Sequence, residues 1–521
     1  MLMSKDEGKK YLYGASVQGI QEFIFQTNNM KEIVGASEIV ADICTTAFDE
    51  YGKGGKSIVR TAGNVKYLFD KKEDCEDAVL NFPKKVMTMA PGITISQAVV
   101  AVKDDLSDYE RKSNELAQNL RTQRNKPIRP MYLGLTAVKR APSTGFPGIK
   151  YNKKENGGGI ELIDESSDLK RKASDTSFKL ARSAFGDHIT QNEIAFNIED
   201  IADKNDWIAV IHADVNGLGD IFQVIGKDFE DERIFSSKLD EITKNSARVA
   251  FQMVEQYFQK EVSAGKKAPF RPVVLSGDDL TMICRADLAI AYAQLYMDEF
   301  ERLSVTELSK LAIKNEQGKA LLRKGLTACA GIAFVKSTYP FQYAIELSES
   351  LCKRAKEKAK RLIKNEMVKT PPSCLLFYKV QDSFDSDFNE IVAQKLIAQE
   401  KLSLEYGPYY CGERAKELSV EQADCRHTID ELKYNVNLLK TEKGNAIRSK
   451  LRQWITLLFD DEGKANQKMM RIIGVGDAEI ARKLNLDRYA NLKKGEELKI
   501  PFYDMLSISS LNIVIKKSKG G

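Results

Sequence analysis

Apolar positions along the chain fall into short strand-like runs separated by longer stretches of helical spacing, and the same order of elements occurs twice. From residue 11, "YLYGASVQGI" predicts a strand running into a turn. "QEFIFQTNNMKEIVGASEIVADICTTAFDEY" carries apolar residues at helical spacing, with Gly35 inside it. "SIVRTAG" and "NVKYLFD" read as two strands joined at Ala62-Gly63-Asn64. "EDCEDAVLNFPKKVMTMA" predicts a helix broken at Pro83, and "ITISQAVVAV" a strand. The order is βαββαβ, the split βαβ arrangement, and a polar helix follows near 104–125.

The pattern returns after residue 205. "DWIAVIHADVNGLG" is a strand and turn, and the stretch that follows is helical with an interruption. "RPVVLSG" and "DDLTMICR" pair as a hairpin, "ADLAIAYAQLYMDEFERLSV" is a helix, and "LTACAGIAFV" a strand. A further helix, "PFQYAIELSESLCKRAKEKAKRLIKNE", leads to a last strand, "SCLLFYKV". The fold class is therefore α+β, with four regions: 1–125, 126–205, 206–380 and 381–521. Region 126–205 is rich in Pro, Gly, Lys and Ser and reads as a connector with a flexible loop near Gly157-Gly158-Gly159. Beyond 380 the spacing is mostly helical, with strand-like "LKIPFYDML" and "LNIVIKK" near the end.

The two units align in sequence at their first strand ends and at their hairpins. "ASVQGIQEFI" (15–24) matches "ADVNGLGDIF" (213–222), setting Ser16 against Asp214 and Gln18 against Asn216. "TAGNV" (61–65) matches "LSGDD" (275–279), setting Gly63, Asn64 and Val65 against Gly277, Asp278 and Asp279. Only the second unit keeps carboxylates at these places.

Composition changes this picture little. The 43% hydrophobic and 29% charged content is that of a globular protein, and a net charge of +5 over 521 residues singles out no partner. The eight cysteines include no C-x-x-C pair, which argues against a zinc ribbon or a disulfide framework. No uninterrupted apolar run is long enough for a membrane span, and the amino-terminal residues lack the apolar core of a signal peptide. The expectation is a cytoplasmic protein with buried thiols and no membrane partner.

In a βαββαβ sheet the first and third strands are neighbours, so Asp214 is expected beside Asp278 and Asp279. Three acids together repel unless a cation is present. Hard oxygen ligands suit Mg²⁺ or Mn²⁺, and a two-metal site can flank a transferring phosphoryl group. Gly217, Gly219 and Gly277 would let a nucleotide approach the backbone. Lys353 and Lys356, one turn apart with Arg354 and Lys360 nearby, could hold a triphosphate, though a solvated helix face explains the same lysines. The remaining features read as structural. His212 is a satisfied histidine; Glu32, Glu38 and Asp42 face solvent; "GVGDAEIARKLNLDRY" is only a faint hint of a helix-turn-helix.

The motifs resemble a known family. "SGDD" is similar to the GGDD motif of the large Palm-domain subunit of type III CRISPR effector complexes, the Cas-ten family (Csm- and Cmr-type). "HADVNGLGDIF" resembles its first Palm motif, "QEFIFQTNNMKEIVGASEIV" the start of its inactive first Palm domain, and "STGFPG" a connector segment. "AGIAFVKSTYPFQYAIELSESLCKRAKEKAK" resembles the strand and helix after the hairpin. The resemblance implies two ferredoxin-like Palm domains, the first degenerate, a connector, and a C-terminal helical domain. It implies an RNA-activated cyclase that makes cyclic oligoadenylate from ATP, working with guide RNA, target RNA and other type III subunits, with self-association of Palm domains possible. Asp214, Asp278, Asp279 and the Val215 backbone would carry the metals. Asn216, Gly217, Ser276, Gly277, Lys353 and Lys356 would border the nucleotide.

Four departures from the family pattern stand out. No HD nuclease domain is recognisable, so DNA cleavage by that module is not expected. The connector lacks zinc cysteines. Asn216 stands where an acid is common, and Ser276 replaces the first Gly. Other readings are a non-catalytic scaffold subunit, a stand-alone defence enzyme making a cyclic di- or conjugated nucleotide, and a diguanylate-cyclase-like enzyme or template-dependent polymerase.

Overall fold

The computed structural model describes residues 8–61, 63–126, 137–153, 158–203, 206–364, 370–381, 387–399, 401–418, 427–493, 495 and 497–514. Ala62 of the first hairpin and Gly157 of the expected flexible loop lie outside the described residues. The first sheet holds β1 (Lys9–Gln18), β2 (Gly55–Thr61), β3 (Asn64–Phe69) and β4 (Thr94–Lys103) in the order β2-β3-β1-β4. All three pairings are antiparallel, and β1 lies between β3 and β4 as the split βαβ reading requires.

The helices of this unit correct the sequence reading at two points. The long helical stretch divides into Ile20–Ile24 and Met30–Ile43, the second starting where the Asn29 side chain accepts the Lys31 and Glu32 amides. The helix Lys72–Met89 is not broken at Pro83. A proline leaves the carbonyl four residues earlier without its helical donor. Here the Gln97 Nε2 on β4 donates to that Val79 carbonyl at 2.8 Å.

The connector is more ordered than its composition suggests. It contains a hairpin of β5 (Gly148–Lys153) and β6 (Ile160–Asp164), then helices Glu165–Thr176 and Lys179–Phe185. These helices overturn the expectation that Glu32 and Glu38 face solvent: both are buried. Glu32 pairs with Arg171 at 2.6 Å, and Glu38 accepts the Ser177 hydroxyl at 2.8 Å and the Leu180 amide at 3.1 Å. Asp42 remains partly exposed and pairs with Lys179.

The second sheet contains β7 (Trp207–Val215), β8 (Phe270–Ser276), β9 (Asp279–Arg285), β10 (Ala328–Lys336) and β11 (Ser373–Lys379). Beyond 380 come β12 (Ile397–Ala398), β13 (Leu402–Ser403), β14 (Tyr409–Cys411) and β15 (Leu498–Lys499). The sheet order is β14-β11-β10-β7-β9-β8, which repeats the first unit's order in β8-β9-β7-β10 and adds two strands. Thus β14, from the region expected to be a separate helical domain, completes the edge of the second sheet. β12, β13 and β15 form a small sheet, and the same region holds the helices Ile429–Lys440, Glu442–Asp460 and Glu462–Val475. The segment "LKIPFYDML" is mostly the helix Phe502–Ser509, and the described part of "LNIVIKK" is not a strand.

The helix Phe341–Lys364 lies directly on β10. An added Cβ at Gly331 would meet the Ser348 carbonyl at 2.0 Å, so only glycine permits this approach. Leu347, Leu351, Ala355 and Ala359 of the helix are buried against the sheet. Lys356, one turn after Cys352 on this helix, thereby reaches the Val215 carbonyl at the end of β7. The two βαββαβ units also pack together. Phe229 and Tyr109 meet edge-on in a cluster with Leu12, Ile58 and Leu68. Beside them Lys66 and Glu232 form a nearly buried ion pair at 2.8 Å, with the Tyr109 hydroxyl donating to Glu232 at 2.7 Å. Among the described residues no helix is long and apolar enough to cross a membrane.

Candidate active site

The carboxylates converge because of strand register. Asp214, next to last in β7, pairs directly with Asp279, the first residue of β9. Asp278 sits in the turn before it. One oxygen from each of the three lies within 4.8 Å of the others, and among the described residues this is the only such grouping of three or more metal-type ligands. The hairpin is fixed from outside by the helix Phe229–Glu255: the Gly277 amide donates to Asp240 at 2.9 Å, and the Thr243 hydroxyl donates to the Gly277 carbonyl at 2.7 Å. Gly277 has φ 64°, a conformation that favours glycine, and its outer face meets Thr61 of the other unit.

Burial dominates the electrostatics. It lifts the Asp279 carboxyl to about 8, aided by the Asp278 and Asp214 charges, while Lys356 opposes the shift. Asp278 is raised for the same reasons, burial first. Lys356 forms an ion pair with Asp214 and donates to the Val215 carbonyl at 2.8 Å. Its ammonium therefore touches both groups of β7 expected to bind metal. A site of three crowded, partly buried carboxylates that already draws in a cation fits a hard divalent ion such as Mg²⁺ or Mn²⁺.

The neighbours have mixed roles. Gly217, at φ 70°, opens the helix Leu218–Ile225 with space above it, and Ser276 ends β8 opposite Asp279. Asn216, expected to border the nucleotide, has its side chain engaged within the fold. It is buried; its amide nitrogen donates to Thr327 at 3.0 Å, and its oxygen accepts from the Cys329 thiol at 3.2 Å. It ties the turn to β10. Lys353 and Lys360 are exposed. Arg354 pairs with Glu405 at 2.5 Å, as does Lys358 at 2.7 Å, so these two members of the basic run anchor the C-terminal region. His212 is the structural residue expected: its Nδ1 is 3.1 Å from the Thr281 hydroxyl, and burial pushes it down to about 4, hence neutral.

The first unit shows the same place without acids. Ser16 pairs in register with Asn64, and the Ser16 hydroxyl donates to Asn64 at 3.0 Å. Register makes Asn64 the counterpart of Asp279, one residue from the alignment based on Gly63 and Gly277. The two hairpins place their glycines at different turn positions, so matching glycines displaced the acids. Arg124, ending the helix Tyr109–Arg124 that follows β4, donates to Ser16 at 2.6 Å. It holds the position that Lys356 holds in the second unit. Sequence reasoning missed Arg124, Asp240 and Thr243; spacing of three between the last two on one helix was the available signal.

Residues 207–367 match the family model for the Cas10/Cmr2 second palm domain. No curated protein matches the chain. Among solved structures, Csm1 in T. onnurineus is 13% identical, covering 98% of this chain and 70% of that one with a TM-score of 0.48. A Csm1-Csm4 cassette in complex with cA4 is 12% identical, covering 97% and 70% with a TM-score of 0.49. For a cassette in complex with AMPPNP the values are 12%, 68% and 54%, with a TM-score of 0.43, so this chain spans about half of that relative's length. The family-model match thus falls on the second βαββαβ unit, the one that carries Asp214, Asp278 and Asp279 at its strand ends.

Proposed function

We propose that this palm domain is a metal-dependent nucleotidyltransferase that converts ATP into a cyclic oligoadenylate-type messenger in type III CRISPR defence. The observation that carries the reading is the register pair Asp214–Asp279, with Asp278 beside it, inside the matched domain. A bound Mg²⁺ or Mn²⁺ would supply a more acidic attacking hydroxyl and a neutralised leaving pyrophosphate. The chain's own residues do the rest. Asp214, Asp278 and Asp279 supply the negative charge that holds the cation. Asp240 and Thr243 fix the hairpin so that this charge does not move with each turnover. Lys356, paired with Asp214, brings the positive charge that a triphosphate needs.

The contrast with Ser16, Asn64 and Arg124 supports a working second site, because the first shows what a site without carboxylates becomes in this chain. Guide and target RNA and further type III subunits are the partners this reading takes, with target RNA as activator. The test is mass spectrometry of the products from ATP and Mg²⁺ or Mn²⁺, with the RNA-bound complex as activator. Linked adenylates and pyrophosphate are expected, and Asp278→Ala with Asp279→Ala is expected to abolish both. Product unchanged in that double variant would overturn the assignment.

A further inference from the structure

At the other end of β7 lies a cleft of 610 Å³ between the palm sheet and the C-terminal helices. Trp207 and Asp214 are seven residues apart on one strand, or roughly 23 Å at the usual rise, so this cleft is separate from the carboxylate site. Its floor is Trp207. The Lys336 ammonium lies 4.4 Å from the centre of the indole and the Lys379 ammonium 4.3 Å from it. Arg452, on the helix Glu442–Asp460, faces them across the cleft. Tyr339 and Tyr503 add aromatic walls.

This collection is unusual in its charge. None of the described residues lining the cleft is acidic, although three are cationic. Lys379 is buried, and burial, then the Lys336 and Arg452 charges, hold its ammonium below the ordinary value. The Lys336 and Lys379 ammoniums lie against the indole, and Arg452 is exposed at the cleft. Lys379 keeps one fixed hydrogen bond, to the Ser510 hydroxyl at 2.5 Å, which leaves donors for a further acceptor. Two ammoniums and a guanidinium directed into one cleft match phosphate oxygens, and the volume and aromatic walls match a nucleoside.

We propose that the cleft between Trp207, Lys336, Lys379 and Arg452 binds a nucleotide through its phosphate groups, independently of the carboxylate trio. The ligand is either a free nucleotide or the terminal nucleotide of a single strand, since both present the same phosphate and base. Its position between the palm sheet and the C-terminal helices means that binding joins the two.

The chain offers a direct probe. Of its two tryptophans, Trp454 is fully buried and Trp207 borders the cleft. The full chain in excess EDTA, which removes divalent cations from the carboxylates, is titrated with ATP, with tripolyphosphate and with a short oligoadenylate, and tryptophan emission is followed. A saturable change is expected and is expected to vanish in Trp207→Phe. Arg452→Glu, at an exposed position, is expected to weaken binding at least tenfold, and Asp278→Ala with Asp279→Ala to leave it unchanged. A response to ATP and tripolyphosphate identifies the free nucleotide as source; a response to the oligonucleotide alone identifies the strand end. No saturable change with any probe, or equal affinity in folded Arg452→Glu protein, overturns the proposal. Because the readout uses no divalent cation, it stands or falls apart from the cyclase reading.

Discussion

At the residue scale the site is decided by what neutralises three carboxylates. In the first unit they are gone and Arg124 sits on Ser16; in the second they remain and Lys356 sits on Asp214. The raised Asp279 carboxyl gives a pH dependence with a definite sign. An acid whose pKa rises on folding from 3.8 to about 8 binds its proton more tightly in the folded state, so metal-free stability is full below pH 3.8 and falls as pH rises to about 8. A divalent cation replaces that proton. The increase in Tm on adding Mn²⁺ is therefore expected to grow between about pH 6 and about pH 8, as differential scanning fluorimetry would record. An increment that shrinks over this range would contradict the assignment of Asp279. Replacing Lys356 with Met is expected to lower the metal-free Tm, because Asp214 loses the ammonium it is paired with.

At the scale of elements, the meeting of Asp214 with Asp278 and Asp279 was readable from the sequence because two apolar runs flank the Gly277-Asp278 turn and the βαββαβ order makes the first and third strands neighbours. Roles that depend on packing were not. Glu32 and Glu38 look like solvent-facing acids on an amphipathic helix, and only the connector helices, folded from a Pro- and Gly-rich stretch, explain their burial. Pro83 breaks a helix unless something else satisfies the abandoned carbonyl, and that donor, Gln97, is on another strand. Arg354 and Lys356 differ by two positions yet turn to different partners, a distinction of helix face that the density of charge concealed. Gly35 shows the packing most sharply: a Cβ there would lie 1.6 Å from the Lys170 carbonyl of the connector. Gly35→Ala is expected to cost about 1–3 kcal/mol, measured by urea unfolding, through displacement of the helix Glu165–Thr176. A cost near zero would show that this helix does not sit where described.

At the scale of the molecule, the duplication gives two sheets with the same strand order, but their edges differ. The second sheet is extended by β11 and β14, so the region after 380 is built into it rather than appended. This was not readable from helical spacing alone, since β14 is only three residues long. The two palm-like units are joined through Lys66, Glu232, Tyr109 and Phe229. Glu232→Ala leaves the Lys66 charge and the Tyr109 hydroxyl without their shared partner. It is expected to destabilise the chain by about 3–5 kcal/mol in denaturant unfolding, whereas Glu316→Ala, on an exposed side chain, is expected to be neutral. Equal effects of the two substitutions would mean that the units do not rely on this contact.

The central claim is that Asp214, Asp278 and Asp279 form a divalent-cation site that distinguishes the second unit from the first. The most direct measurement is Mn²⁺ binding to the purified chain by isothermal titration calorimetry, with and without Asp278→Ala and Asp279→Ala. The account predicts saturable binding that the double variant loses while its fold, followed by circular dichroism, is retained. Mn²⁺ binding of the same affinity and stoichiometry in the folded double variant would contradict it.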